Sequence, residues 1–161
     1  MTINIPSLIN AAGGEVVGKV RLQKLVYLLD QLGLESGFPF SYHHYGPYSE
    51  ELADAVEDEV IFHHIDVDMR RRSDGVPFFV FKACARATAA TFPTDIMSAL
   101  RMMQSRTAIV LELAATIHWL AFVEKIEDWR GELVRRKGAK AGQGRRDDAL
   151  KLLTELNIAP A

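Results

Sequence analysis

The sequence is poor in cysteine and in net charge, and each shortage excludes a class of protein. Its 161 residues include a single cysteine, Cys84, so no disulfide can form within the chain, as is usual in a reducing cytosol. A net charge of −2 provides no overall field that would recruit nucleic acid or an anionic membrane. The N-terminus lacks the basic segment and apolar run of a secretory signal. These observations predict a cytoplasmic protein.

Signatures of membrane insertion and of catalysis are also missing. The longest apolar run, residues 107–123, is short for a membrane span and contains Glu112 and His118. We therefore predict that it forms the central helix of a soluble core. No catalytic nucleophile lies in a recognisable motif, and no glycine-rich loop suits a phosphate group. The sequence predicts neither an enzyme, nor a bound cofactor, nor contact with a membrane.

Two histidine pairs are the best candidates for metal ligands. The pairs His43-His44 and His63-His64 could act together with Cys84. Adjacent residues of a strand point to opposite faces, so each pair could offer only one ligand to a common site. These residues also lack the C-x-x-C or H-E-x-x-H spacing of zinc sites. We therefore predict no metal site.

The composition that remains is that of one ordinary globular domain. Apolar residues make up 48% and charged residues 25% of the chain, which is typical of soluble proteins. We predict one domain over residues 1–161, with a mainly α (α+β) fold and a small β-hairpin. A Gly/Ala/Lys-rich stretch at about 137–146 predicts a mobile basic loop. Periodicity places helices at residues 5–12, 19–33, 49–60, 107–123, 127–137 and 147–156 and from Pro93 onward, a short strand at 38–45, and the hairpin from Ile65 to Lys82 around Asp74-Gly75.

Two segments in the first third of the chain organise the rest. Leucines and valines recur at helical spacing from Leu22 to Leu32, which predicts an amphipathic helix with Lys24 and Tyr27 on its solvated arc. A turn follows, because Gly46 can adopt a positive φ and the proline after it excludes helix at that position. Ser49 then offers an N-cap hydroxyl to the next helix.

These two segments carry a family resemblance. The patterns G-x-x-R-L-Q-K-L-x-Y-L-L from Gly18 and Y-G-P-Y-S-x-E-L from Tyr45 together resemble the Panacea domain and the related YwgA-like proteins. The later run V-L-E-L-A-A-T-I from Val110 is similar to a YwgA-like signature. SocA-type antitoxins belong to the same broad group. The resemblance implies a cytosolic protein-interaction module that neutralises a partner such as a toxin, or delivers a partner for degradation.

A partner protein would meet the exposed residues beside these motifs. Carboxylates cluster on one face of the predicted helix 49–60, and such a face is either simply solvated or a surface for a basic partner. Tyrosines anchor interfaces well because they combine area with a polar tip. A homodimer is also compatible with the sequence. We expect partner binding at Lys24, Tyr27, Tyr45, Tyr48, Glu50, Glu51, Asp54 and Glu57.

A DNA-binding regulator is the alternative function. Three helices followed by a hairpin predict a winged-helix-like N-terminal half, in which the third helix would enter the major groove. That helix presents carboxylates, which phosphates would repel. We therefore expect at most weak DNA binding. The residues available for it are Arg70, Arg71 and Arg72 at the hairpin tip and Arg135, Arg136, Lys137, Arg145 and Arg146 around the glycine-rich loop.

Overall fold

The fold is mainly helical with small antiparallel sheets, which confirms the predicted α+β class. The structure is a computed structural model and describes residues 2–87 and 90–161. The helices of the described residues are Ile5–Ala11 (α1), Lys19–Asp30 (α2), Glu50–Ile61 (α3), Thr94–Gln104 (α4), Ala108–His118 (α5), Trp129–Lys137 (α6) and Arg145–Glu155 (α7). The strands are Glu15–Val17 (β1), Ser41–His43 (β2), Gly46–Tyr48 (β3), Ile65–Arg71 (β4) and Pro77–Ala83 (β5).

The N-terminal half has the element order of a winged helix. Helices α1, α2 and α3 precede the hairpin β4–β5, and the short strand β1 joins that hairpin in the order β1-β5-β4. We call β4, β5 and their turn the wing, and the three strands together the wing sheet. Strands β2 and β3 form a separate ribbon between α2 and α3, pairing Tyr42 with Pro47. The sequence did not predict β1, since three residues are too few to show a periodicity.

Side-chain caps begin several helices. The Ser49 hydroxyl accepts a hydrogen bond from the Leu52 N–H at 3.1 Å, which confirms the predicted N-cap of α3. Thr107 caps α5 through the Val110 N–H at 3.2 Å. The first of these two helix starts, at α3, matters for the site because it sets which residues of α3 face the wing.

Helix α5 is the centre of the core. It packs against α2, α6, α7 and β3, and every residue from Val110 to His118 is buried. Its chain continues as a π-helical turn over Trp119–Val123. The predicted central helix is thereby confirmed, although its last turn is not α-helical. In the part of the chain that is described, no helix is long and apolar enough to cross a membrane.

Strand β3 touches α5 closely, and Gly46 makes this approach possible. Gly46 has a φ of +88°, and an added Cβ there would lie 2.5 Å from the Thr116 Oγ1. A larger residue would therefore be strained by its backbone and would also collide with a buried side chain. The predicted turn glycine has this second, packing role.

The loop between α6 and α7 is shorter than the loop predicted at residues 137–146. Lys137 ends α6, and Arg145 and Arg146 begin α7. A 3-10 turn over Gly138–Ala141 occupies much of the interval. The Arg145 guanidinium donates hydrogen bonds of 3.0 Å to the carbonyls of Ala139 and Lys140. The mobility of the remaining loop stays a prediction.

Candidate partner-binding groove

An open groove of about 690 Å³ lies between α3 and the wing sheet. We call it the α3–wing groove. Leu22 of α2, Leu52 of α3 and Phe81 of β5 line it, and all three side chains are buried in the core. Ile61 and Phe79 line it closer to solvent. The groove is thus an extension of the hydrophobic core that stays open to solvent.

Large apolar side chains stand exposed around this groove. Ile61 is 67% exposed and Phe62, which follows it at the end of α3, is 66% exposed. On the wing, Phe79 is 40% and Val67 38% exposed. Single exposed apolar residues are common, but a cluster beside a groove is typical of a surface that binds another molecule.

Carboxylates flank the apolar surface. Asp54 and Glu57 of α3 line the groove, and Glu50, Glu51 and Asp58 of the same helix are exposed. The capped start of α3 fixes the register that places Leu52 and Val56 inward and these carboxylates outward. On the opposite side, Lys19 adds a positive charge, with its Nζ 5.8 Å from the centre of the Phe79 ring. The helix side of the groove is therefore acidic.

The structure brings together only part of the predicted partner-binding set. Tyr48, Asp54 and Glu57 line the groove, and Glu50 and Glu51 are exposed in the first turn of the same helix. Tyr45 does not belong with them. It is 45% exposed, and its ring lies 4.8 Å from the Nζ of Lys140, which follows α6.

The prediction that Lys24 and Tyr27 are exposed is wrong. Lys24 is 0% and Tyr27 2% exposed, because α5 covers the arc of α2 that the sequence assigned to solvent. The Lys24 Nζ donates a hydrogen bond of 2.5 Å to the Pro47 carbonyl, and burial lowers its pKa to about 8. Helix α5 is apolar on all sides, so neighbouring helices must pack around it. This pattern in the sequence could have predicted that α2 packs against α5.

Tyr27 belongs to a second buried contact with α5. Its hydroxyl lies 2.8 Å from the Nδ1 of His118. Burial lowers the pKa of His118 to about 4, so this imidazole is neutral at physiological pH. Burial also raises the pKa of the Tyr27 hydroxyl. Neither side chain is available to a partner protein.

Lys137 was expected to contact phosphates, and this prediction is also wrong. It is 8% exposed, and its Nζ forms an ion pair of 3.0 Å with the buried carboxylate of Glu112. Lys140 approaches the same carboxylate at 3.3 Å, and the field of Glu112 also reaches Lys24. Glu112 therefore balances cations from α2, α6 and the turn after it. We call Lys24, Glu112 and Lys137 the buried charge cluster.

The other cations near the glycine-rich loop are largely engaged. Arg136 donates to both carboxylate oxygens of Glu124 at 2.8 Å and lies over the Tyr42 ring at 4.6 Å. Arg135 forms an ion pair with Glu132, although its side chain remains 77% exposed. Arg145 caps carbonyls as described, and Arg146 is half-buried. These residues do not form a continuous surface of free cations.

At the wing tip, the arginines are exposed but have local partners. Arg70 lies 3.7 Å from Glu15 and 3.6 Å from Asp68. Arg72 pairs with Asp74 at 2.6 Å, and Arg71 donates to the Gly75 carbonyl at 3.0 Å. Exposed pairs of this kind are weak and exchange readily. The wing tip therefore keeps charges that another molecule could recruit.

The histidines of the two pairs make separate local contacts. The His43 Nε2 lies 3.0 Å from the Ser41 hydroxyl, and the His64 Nδ1 lies 2.8 Å from Glu59. Across residues 2–87 and 90–161, no three His, Cys, Asp or Glu side chains are grouped to hold a metal ion.

Comparison with known proteins supports part of the resemblance. No family model matches the chain. It is 26% identical over 152 residues to YwgA of Bacillus subtilis, itself uncharacterized, and the match covers 89% of each chain. It is also 31% identical over 124 residues to a DNA ADP-ribosyl glycohydrolase of Thermus aquaticus. That match covers 72% of this chain but only 34% of the relative. The likeness to YwgA supports the predicted YwgA-like class, whereas the Panacea and SocA assignment stays a prediction.

Proposed function

We propose that this protein is a non-catalytic interaction module that holds a basic, amphipathic segment of a partner protein in the α3–wing groove. The observation that carries this proposal is an open apolar groove whose helix side bears carboxylates. Leu22, Leu52 and Phe81 give it a rigid base, because each is also part of the core.

The two kinds of surface would contribute differently to binding. Covering Ile61 and Phe79 removes apolar area from water, and a fully covered side chain of this size contributes about 1.5–3 kcal/mol. Asp54, Glu57 and the neighbouring carboxylates would steer a cationic segment to the groove and reject an acidic one. Affinity would therefore come mostly from the apolar residues, and partner selection from the acidic ones.

Neutralisation or delivery of a partner fits this kind of site. Either role requires a stable complex and no chemical step. The predicted similarity to Panacea and SocA-type antitoxins suggests a toxin or a regulatory protein as the partner. The glycohydrolase match covers a third of that relative, and an interaction segment within a longer enzyme is consistent with the same role.

Synthetic peptides provide a direct test. The probe is an amphipathic helix with leucine on one face and lysine on the other, and its counterpart carries glutamate in place of lysine. Calorimetric titration should show binding of the lysine peptide only. The double variant Ile61→Ser/Phe79→Ser should lose this binding. The matched variant Phe122→Ser/Val134→Ser, which removes exposed apolar residues that do not line the groove, should retain it. Equal binding by both variants would refute the proposal.

DNA binding through the wing remains a second candidate. The winged-helix element order favours it, as does the relative whose name specifies DNA. The carboxylates of α3 oppose it, because the helix that would enter the major groove carries the wrong charge. We expect weak duplex binding at physiological salt that involves Arg70, Arg71 and Arg72. A sequence-specific complex with nanomolar affinity, typical of specific regulators, would favour this second candidate over the first.

A further inference from the structure

Strand β4 presents an open edge. The wing sheet has the order β1-β5-β4, so β5 occupies one side of β4 only. The Arg72 N–H donates to the Val76 carbonyl and the Cys84 N–H donates to the His64 carbonyl at the two ends of the ladder. Hydrogen-bonded pairs alternate along an antiparallel ladder. The main-chain groups of Val67, Met69 and Arg71 therefore point away from β5.

The outward groups of Val67 and Met69 have no partner in the described part of the chain. Among residues 2–87 and 90–161, no other main-chain or side-chain group is hydrogen-bonded to the N–H or C=O of Val67 or Met69. Their side chains are exposed too, Val67 by 38% and Met69 by 55%. Natural proteins usually protect such an edge by a covering element, a proline, a bulge or charged side chains, since it can pair with another strand. Of these, β4 has the charges, so another strand can pair with it only if its charges are complementary.

The charges along this strand are arranged symmetrically about Met69. Asp66 and Asp68 precede it and Arg70 and Arg72 follow it. Arg72 lies one residue past the end of β4, but its N–H still bonds across the hairpin to the Val76 carbonyl. All four side chains lie on one face because strand side chains alternate. Reversing the strand converts the order acidic-acidic-basic-basic into basic-basic-acidic-acidic. The face is therefore complementary to a second copy of itself that runs in the opposite direction.

We propose that two copies of this protein pair antiparallel along β4, with Met69 on the two-fold axis. Asp68 of each copy then lies opposite Arg70 of the other. Asp66 lies opposite Arg72 in the same way. The outward main-chain groups of Val67 and Arg71 bond across the axis, and those of Met69 bond to their own counterparts. The interface is isologous, as in most homodimers.

Charge selects this register over its neighbours. Centring the pair on Asp68 would place that carboxylate opposite its own copy, and centring it on Val67 would place Asp66 opposite Asp68. Like charges in directly opposed positions destabilise a strand pair. Arg70 can change partners at little cost, because its contacts with Glu15 and Asp68 are exposed and longer than 3.5 Å.

The dimer is expected to be weak and independent of the proposed groove function. A strand pair buries less surface than a standard stable interface, so we expect a dissociation constant in the micromolar range. Val67 lines the groove with its side chain but pairs through its main chain, and the Asp68 and Arg70 side chains lie on the opposite face of β4. Loss of peptide binding and loss of the dimer are therefore separate observations.

Sedimentation velocity over a concentration series provides the test. Asp68→Lys places lysine opposite Arg70 of the other copy, and Arg70→Glu places glutamate opposite Asp68. Each variant alone should be monomeric at concentrations where the wild type dimerises. An equimolar mixture of the two should associate again, because both pairs across the axis are then oppositely charged. A monomeric wild type, single variants that dimerise like it, or a mixture that stays monomeric would each overturn the proposal.

A main-chain variant separates strand pairing from side-chain attraction. Met69→Pro removes an N–H that points away from β5, and proline is tolerated at such edge positions. The variant should be monomeric. Met69→Thr keeps the N–H and should dimerise nearly as well as the wild type. A Met69→Pro protein that dimerises with unchanged affinity would show that the contact lies elsewhere.

Discussion

Two regions of this molecule differ in where their charged side chains lie. Among α2, α5 and α6, the charges of Lys24, Glu112 and Lys137 are buried and balance one another. Around the α3–wing groove, Asp54 and Glu57 are exposed beside apolar side chains that are exposed as well. The interior arrangement contributes to the architecture. The surface arrangement is where a partner could gain binding energy.

The buried contacts also explain why the two sequence motifs occur together. The Gln23 amide donates to the Ser49 carbonyl and accepts from the Ser49 N–H, both at 2.9 Å. Lys24 donates to the Pro47 carbonyl. The L-Q-K-L and G-P-Y-S segments are therefore bound to each other inside the protein. A motif composed of such contacts indicates a shared fold. In the proposed function, Asp54 and Glu57, which lie outside the motif, would select the partner.

The largest expected effect comes from breaking the buried charge cluster. Glu112→Gln leaves Lys24 and Lys137 buried without a counter-charge, and removing one partner of a buried pair costs about 3–5 kcal/mol. The control is Glu124→Gln at the more exposed pair with Arg136, where a loss of about 1 kcal/mol or less is expected. Urea denaturation measures both. Similar losses for the two variants would contradict a structural role for the cluster.

The contact of β3 with α5 should be the next most sensitive feature. Gly46→Ala combines an unfavourable φ with a collision against Thr116, for which we expect a loss of about 2–4 kcal/mol. Gly75→Ala is the matched control, since Gly75 has a similar φ of +85° but no neighbour within 4 Å of an added Cβ. Its loss should be about 1–2 kcal/mol. Equal losses would mean that the close approach of β3 is unimportant.

The buried imidazole predicts a dependence of stability on pH. The pKa of His118 falls from 6.5 to about 4 on folding. Between these values the unfolded chain binds a proton that the folded protein excludes, so stability decreases as the pH falls through this window. The loss approaches about 3 kcal/mol near pH 4. His118→Phe should be less stable at neutral pH but show a flatter pH profile, and an unchanged slope would contradict this assignment.

The sequence predicted the elements well and their surroundings less well. Helical periodicity and the Ser49 cap identified α2, α3 and α5, because such signals are local. The burial of Lys24, Tyr27 and Lys137 depends on contacts with distant segments. A polar residue on a helix predicts a solvated face only until another element covers it.

The candidate site was likewise predicted only in part. Local rules correctly placed the carboxylates of α3 on an exposed face. The groove beside them was not foreseen, because it requires the relative positions of α2, α3 and β5. The sequence also gave no hint of β1, and without that strand β4 could not be recognised as the sheet edge.

The most direct test of the proposed function reverses the charge of the groove while preserving the fold. Asp54→Lys/Glu57→Lys changes carboxylates beyond the first turn of α3, so the melting temperature should stay nearly the same. Glu35→Lys/Glu127→Lys makes the same net change at exposed positions away from the groove. Both proteins are titrated with the leucine–lysine peptide. The groove variant should bind at least about ten-fold more weakly, a difference of about 1.4 kcal/mol, while the control binds nearly like the wild type. Equal affinities for the two variants would show that the acidic face is only a solvated surface.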